Sequence, residues 1–227
     1  MTTSNTSSQL KRYPMPFTRI EIAAMSLIEG ELHVLLARRA EAPYAGRWAL
    51  PGGVLRIDLD CSLDTAAQRV MQERLGMQMP FLRQLTAVGG PTRDPRAPWA
   101  LSVVYRAMVP FDSLAPAPGK RIEALAWRAV MEAAADKALA FDHAALVEEA
   151  ARITRSEVEE LRLPFGFLPK HFTLSELQLT CAELLGRPLD KSSFRRKLAD
   201  RDLLEPVEGA MKTGAFRPAQ LYRQKRS

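Results

Sequence analysis

Apolar positions along the first half of the chain form short blocks and alternations, and a few longer stretches repeat with helical spacing. IAAMSLI (Ile22–Ile28) and ELHVLLA (Glu31–Ala37) flank Glu29-Gly30, which predicts a β-hairpin. APYAGRWALPGG (Ala42–Gly53) is broken by prolines and glycines and reads as a loop. From Ser62 to Leu75, apolar residues fall at Leu63, Ala66, Ala67, Val70, Met71 and Leu75, a helical period. Ser62 suits its N-cap and Gly76 the residue that ends it. FLRQLTAVGG (Phe81–Gly90), WALSVVYRAMV (Trp99–Val109) and RIEALAWRAV (Arg121–Val130) predict further strands, the first two around the loop PTRDPRAP. AFDHAALVEEAARITRSEVEELRL (Ala140–Leu163) predicts a long amphipathic helix, with Thr154 as the point where it could break.

The pattern changes at LPFGFLPK (Leu163–Lys170), whose prolines and glycine make a natural boundary. Beyond it, Thr173 and Glu176 have the spacing of a capping box, and Leu174, Leu177, Leu184 and Leu185 supply one apolar face. Asp190 caps a second expected helix. There Phe194 and Leu198 face inward, while Lys191, Ser192, Ser193, Arg195, Arg196 and Lys197 face outward. Two short strands, at 203–206 and 219–222, follow around a glycine-bearing loop. Helix, turn, basic helix and hairpin outline a winged helix-turn-helix; the same pattern also suits a small basic appendage used for dimerisation. The whole reads as α+β in two domains, residues 13–163 and 164–227.

Composition adds few constraints. The chain has 227 residues, 47% of them hydrophobic and 26% charged, enough to bury a core. The opening MTTSNTSSQLKR lacks the apolar segment of a secretory signal, and no run approaches the roughly 18 apolar residues that span a bilayer. Cys61 and Cys181 are the only cysteines, which suggests two reduced thiols. A cytoplasmic protein without a membrane partner is the expectation. Charge is more telling. The net charge is +6, and residues 164–227 hold 12 Lys/Arg against 7 Asp/Glu, while the preceding 163 hold 20 against 19. A basic module beside a near-neutral one points to a polyanion, nucleic acid first.

WALPGG (Trp48–Gly53) and the helix after it resemble the Nudix box, G-x5-E-x7-R-E-u-x-E-E-x-G-u, with u aliphatic. In that family the glutamates hold magnesium against a diphosphate. With the closing glycine on Gly76, the arginine of the pattern falls on Arg69 and the paired glutamates on Glu73 and Arg74. The other two glutamates fall on Val70 and Cys61, and the loop after Gly53 is two residues longer than the pattern. A cation with Glu73 as its only box carboxylate would be poorly held, whereas a guanidinium at Arg74 suits a phosphate. The box therefore predicts a pocket that grips a diphosphate without cutting it. No metal and no cofactor are expected.

RRAEAPYAGRWALPGG, PTRDPRAPWALSVVY and LAFDHAALVEEA are similar to the Nudix domain of the Nudix-related transcriptional regulators of NAD metabolism, the NrtR family. FTLSELQ, GRPLDKSSFRRKL and RPAQLYR are similar to the winged helix joined to it there, so the likeness covers about Phe17–Arg223. It implies a Nudix-type α/β/α sandwich followed by a small winged helix-turn-helix domain. It also implies repression of genes for NAD biosynthesis or salvage, with ADP-ribose or a related NAD-derived nucleotide as effector and a homodimer on palindromic double-stranded DNA. Where the family's wing often has a glycine, this chain has Phe216.

Candidate ligand residues are Arg38, Arg47, Gly52, Gly53, Arg69, Glu73 and Arg74, with Phe141, Asp142 and His143 on the long helix. Arg69 also stands four residues before Glu73, where an internal ion pair would occupy it. Candidate DNA contacts are Lys191, Ser192, Ser193, Arg195 and Arg196 on the basic helix and Lys212, Arg217 and Arg223 on the wing. No catalytic residue is assigned. Two other readings use the same residues: an active hydrolase of ADP-ribose-like nucleoside diphosphates, and a Nudix-type regulator that senses a sugar or another metabolite.

Overall fold

The computed structural model describes residues 15–78, 82–113, 116–213 and 218–225. Strand β1 (Phe17–Ile28) is the axis of the first half. Ile20, Ile22 and Ala24 on one side of it join the core under helix α1 (Leu63–Leu75), while Ala23 and Met25 on the other join the core under α3 (His143–Glu159). The β1–β2 turn places Glu29 and Gly30 both at positive φ, 51° and 80°, the geometry whose twist suits a tight hairpin. Strand β2 (Glu31–Arg39) pairs with β1 only from Met25↔Val34 to Ile28↔Glu31. Along its other edge it pairs with β7 (Ile122–Ala129) from His33 to Arg39, and beyond the end of its β1 pairing it takes up the two-residue β3 (Trp48–Ala49). The short β4 (Gly52–Val54) pairs with β1 at Arg19–Glu21 instead. On its far edge β1 pairs in parallel with β6 (Ala100–Met108), and β5 (Leu82–Gly90) runs antiparallel to β6.

The result is the expected Nudix-type α/β/α arrangement, a seven-stranded mixed sheet between α1 and α3. Four elements depart from the expected outline. Strands β3 and β4 lie inside the stretch read as loop, because pairing with β2 and β1 rather than local propensity makes them strands. Helix α2 (Val130–Ala135) follows β7 directly. Helix α3 does not break at Thr154: the Thr154 hydroxyl donates to the Ala150 carbonyl at 2.7 Å, and the buried Arg106 guanidinium donates to that hydroxyl at 2.7 Å.

The second half is the expected winged helix-turn-helix. Helix α4 (Leu174–Leu185) opens on a complete capping box between Thr173 and Glu176 and ends at Gly186, φ 65°. Helix α5 (Lys191–Arg201) is capped by Asp190, whose carboxylate accepts from the Ser193 N–H at 2.8 Å. Strands β8 (Leu204–Lys212) and β9 (Ala219–Gln224) form the wing, and Phe172 exchanges backbone hydrogen bonds with Tyr222 to extend its base. Strand β8 runs further than expected, past a bulge between Pro206 and Met211. The Gln220 amide closes that bulge by donating to the Val207 and Ala210 carbonyls.

The two halves share a core. Val158, Leu163, Phe167 and Leu168 belong to the same buried apolar cluster as Phe172, Leu177, Cys181, Leu184, Phe194 and Leu198. Polar contacts reinforce the joint: Arg155 donates to the Leu184 carbonyl at 3.2 Å, and Glu159 pairs with Arg187 at 3.6 Å. Among the described residues, no helix is long and apolar enough to cross a membrane.

Candidate functional site

Where β2 peels from β1 the sheet splits, and a cleft opens. Arg19, Arg38, Arg39, Arg74, Arg96 and Arg121 line it, with Glu41 as the lining carboxylate and Pro51-Gly52 as part of its wall. Four of the guanidiniums face carboxylates: Arg19 with Glu21 at 2.7 Å, Arg96 with Asp94 at 2.5 Å, Arg121 with Glu41 at 3.2 Å and Arg38 with Glu123 at 3.4 Å. Arg39 and Arg74 differ. Arg39 donates to the Pro43 carbonyl at 2.7 Å, and Arg74 to the Gly52 carbonyl at 3.0 Å and to the Lys120 carbonyl. Neither forms an ion pair among the described residues.

Burial, and after it the neighbouring Arg121, depress the pKa of Arg74; burial and then Arg19 and Arg96 do the same for Arg39. Two half-buried cations without counterions are a standing preference for an anion, and guanidiniums suit the oxygens of a phosphate. Burial also works against charge on Arg19, but Glu21 beside it more than offsets this and its pKa is raised.

The structure brings Arg38, Gly52 and Arg74 of the expected set together in this cleft. The other box positions are turned to different uses. Arg69 is held in its own loop: it bonds both oxygens of Asp60 at 2.7 Å and the Val54 carbonyl at 2.9 Å, and pairs with Glu73 at 3.2 Å. That hydrogen bond holds the Asp60 carboxyl below its usual pKa. Val70 is fully buried, and a Cβ on Gly53 would lie 2.8 Å from its Cγ2, so helix and turn pack in direct contact. Cys61 is exposed beside Thr65. These residues do not fit a divalent cation. Among the described residues, no three His, Cys, Asp or Glu side chains converge on one point.

Arg47 is exposed, its guanidinium 5.5 Å from the Tyr44 ring centroid. Phe141 stands at the edge of the cleft, with Arg39 and Arg19 at 5.1 and 5.7 Å from its ring. His143 is buried behind it and accepts the Leu50 N–H on Nδ1 at 2.9 Å, which leaves the proton of the neutral ring on Nε2. Burial lowers its pKa to about 4. Its Nε2 has no hydrogen-bond partner and lies 3.9 Å from Glu21, whose Oε2 is likewise unpartnered. His143 therefore anchors α3 to the Pro-Gly-Gly turn. Sequence reasoning missed Arg19, Arg39, Arg96 and Arg121, which come from separate elements and meet only through the fold; the Arg38-Arg39 pair was the one local signal.

On the second half, Phe194 and Leu198 are buried as expected. Helical geometry sets Ser192, Arg196 and Ala199 opposite them, with Arg195 at the flank. Lys191, Ser192, Arg195 and Arg196 are exposed, and none of the three cations forms an ion pair among the described residues. Ser193 is the exception to the outward set. It is half-buried and lines a crevice of about 240 Å³ between α5 and the end of α3. On the wing Lys212 pairs with Glu176 of α4, and Arg223 with Glu205 at 2.6 Å across the hairpin. Arg217 and Phe216 lie outside the described residues.

Comparison with known proteins matches both halves. The NUDIX domain family matches residues 18–150, and the NrtR DNA-binding winged helix domain matches residues 164–224. The chain is 34% identical over 215 residues to the ADPR responsive transcriptional repressor of Acinetobacter baylyi, covering 95% of this chain and 84% of that one. The crystal structure of Shewanella oneidensis NrtR with a 27mer DNA superposes with a TM-score of 0.76 at 30% identity, covering 92% of this chain and 93% of the other. The Nudix domain of the Shewanella protein in complex with ADP ribose matches 68% of this chain and 99% of that one, with a TM-score of 0.59 and 26% identity. An ADP-ribose pyrophosphatase of Methanocaldococcus jannaschii is 31% identical over only 97 residues, 42% of this chain and 54% of that one. With a Nudix fold, a winged helix and a likeness that runs through both, the chain belongs to the NrtR family of Nudix-related transcriptional regulators.

Proposed function

We propose that this chain is an ADP-ribose-responsive, DNA-binding repressor of genes for NAD biosynthesis or salvage, and that its Nudix domain binds the effector without hydrolysing it. Residues 13–163 form the sensor and residues 164–227 the reader, a division supported by the two family matches. The observation that carries the reading is the pair Arg39 and Arg74: partly desolvated guanidiniums, without carboxylate partners, at a cleft where three of the four glutamates of the box are replaced. They take the diphosphate, with Arg38 and the Gly52 turn beside them. The reader works as a homodimer on a palindromic operator in the cytoplasm. Ser192, Arg195 and Arg196 meet base edges; Lys191, Lys212 and Arg223 meet phosphates. The relatives that respond to ADPR or were crystallised with ADP ribose and with DNA support both ligands.

The test is fluorescence anisotropy of the full chain on promoter DNA of NAD-synthesis genes at fixed salt. ADP-ribose is titrated with and without magnesium while AMP release is followed. Specific binding that intact ADP-ribose reverses in either buffer is the expected result. Magnesium-dependent cleavage with no effect on DNA would establish the hydrolase reading instead.

A further inference from the structure

The crevice of about 240 Å³ between the end of α3 and the start of α5 shares no residue with the arginine cleft. A dry cavity of about 150 Å³ holds benzene, so this one has room for a chain of about six to eight carbons. Its inner wall is apolar. Val158 of α3, Cys181 of α4 and Phe194 of α5 line it, all three buried in the core that joins the two halves. Burial pushes the Cys181 thiol up to about 12, so it stays neutral there.

Leu161 closes one side. It follows the last residue of α3 at φ 60°, the position where a helix most often ends on glycine. Its N–H donates to the Val158 carbonyl at 3.0 Å, and the Arg162 N–H donates to the Glu157 carbonyl at 2.8 Å, the two bonds of a Schellman turn. Glycine would make this turn with less strain; leucine makes it with a side chain that walls the crevice.

The rim is polar, and its charges are unequally engaged. Glu159 pairs with Arg187 at 3.6 Å, and Asp190 accepts the Ser193 N–H at 2.8 Å. Lys197 lies four residues after Ser193, on the same side of α5, and forms no ion pair among the described residues. An apolar pocket with one free ammonium and one hydroxyl at its mouth complements a molecule with a hydrocarbon body and a single negative end.

We infer that this crevice binds a small apolar monocarboxylate and is a second input to the DNA reader. The carboxylate meets Lys197 and Ser193, and the hydrocarbon packs on Val158, Leu161 and Phe194. A ligand there touches the end of the sensor's last helix and the helix that reads DNA, so it favours one arrangement of the two over others. The inference does not rest on ADP-ribose being the effector of the cleft.

Calorimetric titration of the full chain with butyrate, hexanoate, octanoate and 1-hexanol tests the site. Lys197→Met keeps an apolar stem and removes the charge, Lys197→Arg keeps the charge, and Leu161→Gly removes a wall while relieving the left-handed backbone. The expected result is one octanoate per chain, affinity rising about threefold per methylene, and hexanol about tenfold weaker than hexanoate. Lys197→Met should weaken octanoate about tenfold and leave hexanol within about twofold. Lys197→Arg should restore octanoate binding, and Leu161→Gly should weaken both ligands. With octanoate at saturation, anisotropy on the promoter DNA should show affinity changed threefold or more, and no change for Lys197→Met at the same concentration. Octanoate that does not bind, or binds alike to the unsubstituted protein and Lys197→Met, overturns the site. Binding as expected with promoter affinity unchanged overturns the second input.

Discussion

Gly52 shows how closely this cleft is built. Its neighbour across the strands is Glu21, and a Cβ on Gly52 would lie 1.8 Å from Glu21 Oε2 and 2.9 Å from the Ile20 carbonyl oxygen. The carboxylate is buried and the carbonyl is backbone, so little can give way. Gly52→Ala should therefore destabilise the fold by about 1–3 kcal/mol, the usual cost of overpacking, seen as a lower midpoint in urea. His143 makes a second prediction at this scale. Its pKa in the fold is lowered to about 4, below the ordinary histidine value in the unfolded chain. Between those values the unfolded state binds more protons. The stability contributed by the neutral ring is fully present above about pH 6.5 and is lost as pH falls towards 4, up to about 3 kcal/mol. Urea titrations at pH 7.5 and 5 should show that loss, and His143→Gln should flatten it. Side chains of this kind are only partly legible in a sequence. The Arg69–Glu73 pair could be read from its spacing of four, but Asp60, the stronger partner, reaches Arg69 around a loop that no periodicity describes.

At the scale of elements, the sequence was legible wherever the cause of an element is local. Helix α1 runs from Leu63 to Leu75 because Ser62 caps its start, in a reciprocal pair with Thr65, and Gly76 ends it at φ 68°. Each of these signals lies within three residues of the end it fixes. Strands β3 and β4 were hidden because two or three residues between glycines and prolines become strands only when β1 and β2 come alongside. Thr154 misled for the opposite reason, since its helix-weakening hydroxyl is absorbed by the backbone one turn earlier. On α5 the element itself predicts a division of roles. Arg196→Ala should cost about 1–3 kcal/mol on operator DNA and little on random DNA, in anisotropy titrations at one salt concentration. Lys212→Ala should weaken both alike and reduce the salt slope by about one. Equal losses on both DNAs for Arg196→Ala would remove it from the base-reading set.

Across the whole molecule, one helix touches both sites. The first turn of α3 is bolted to the cleft wall through His143 and Leu50, and Phe141 just before it lies under Arg39. Near the other end, Arg155 bonds the Leu184 carbonyl in the last turn of α4, a helix end that favours a cation. Between those contacts the helix rises roughly 18 Å. Arg155→Ala should therefore leave ADP-ribose affinity and operator affinity each within about threefold of the unsubstituted protein, while lowering the coupling between them by about 0.5–2 kcal/mol. Anisotropy titrations of DNA at several effector concentrations measure it directly; release as complete as in the unsubstituted protein would show that α3 does not carry the signal.

The apolar cluster that passes from α3 through Phe167 and Leu168 into α4 and α5 has a further consequence. A reader hung on a loose tether would melt on its own. Here the same buried side chains close both halves, so heating the full chain should give one transition, with calorimetric and van't Hoff enthalpies equal. Effector at a hundred times its dissociation constant adds about 2.7 kcal/mol to that single unit. Amide protons of α5 should then exchange more slowly with solvent, in a helix that no atom of the effector touches.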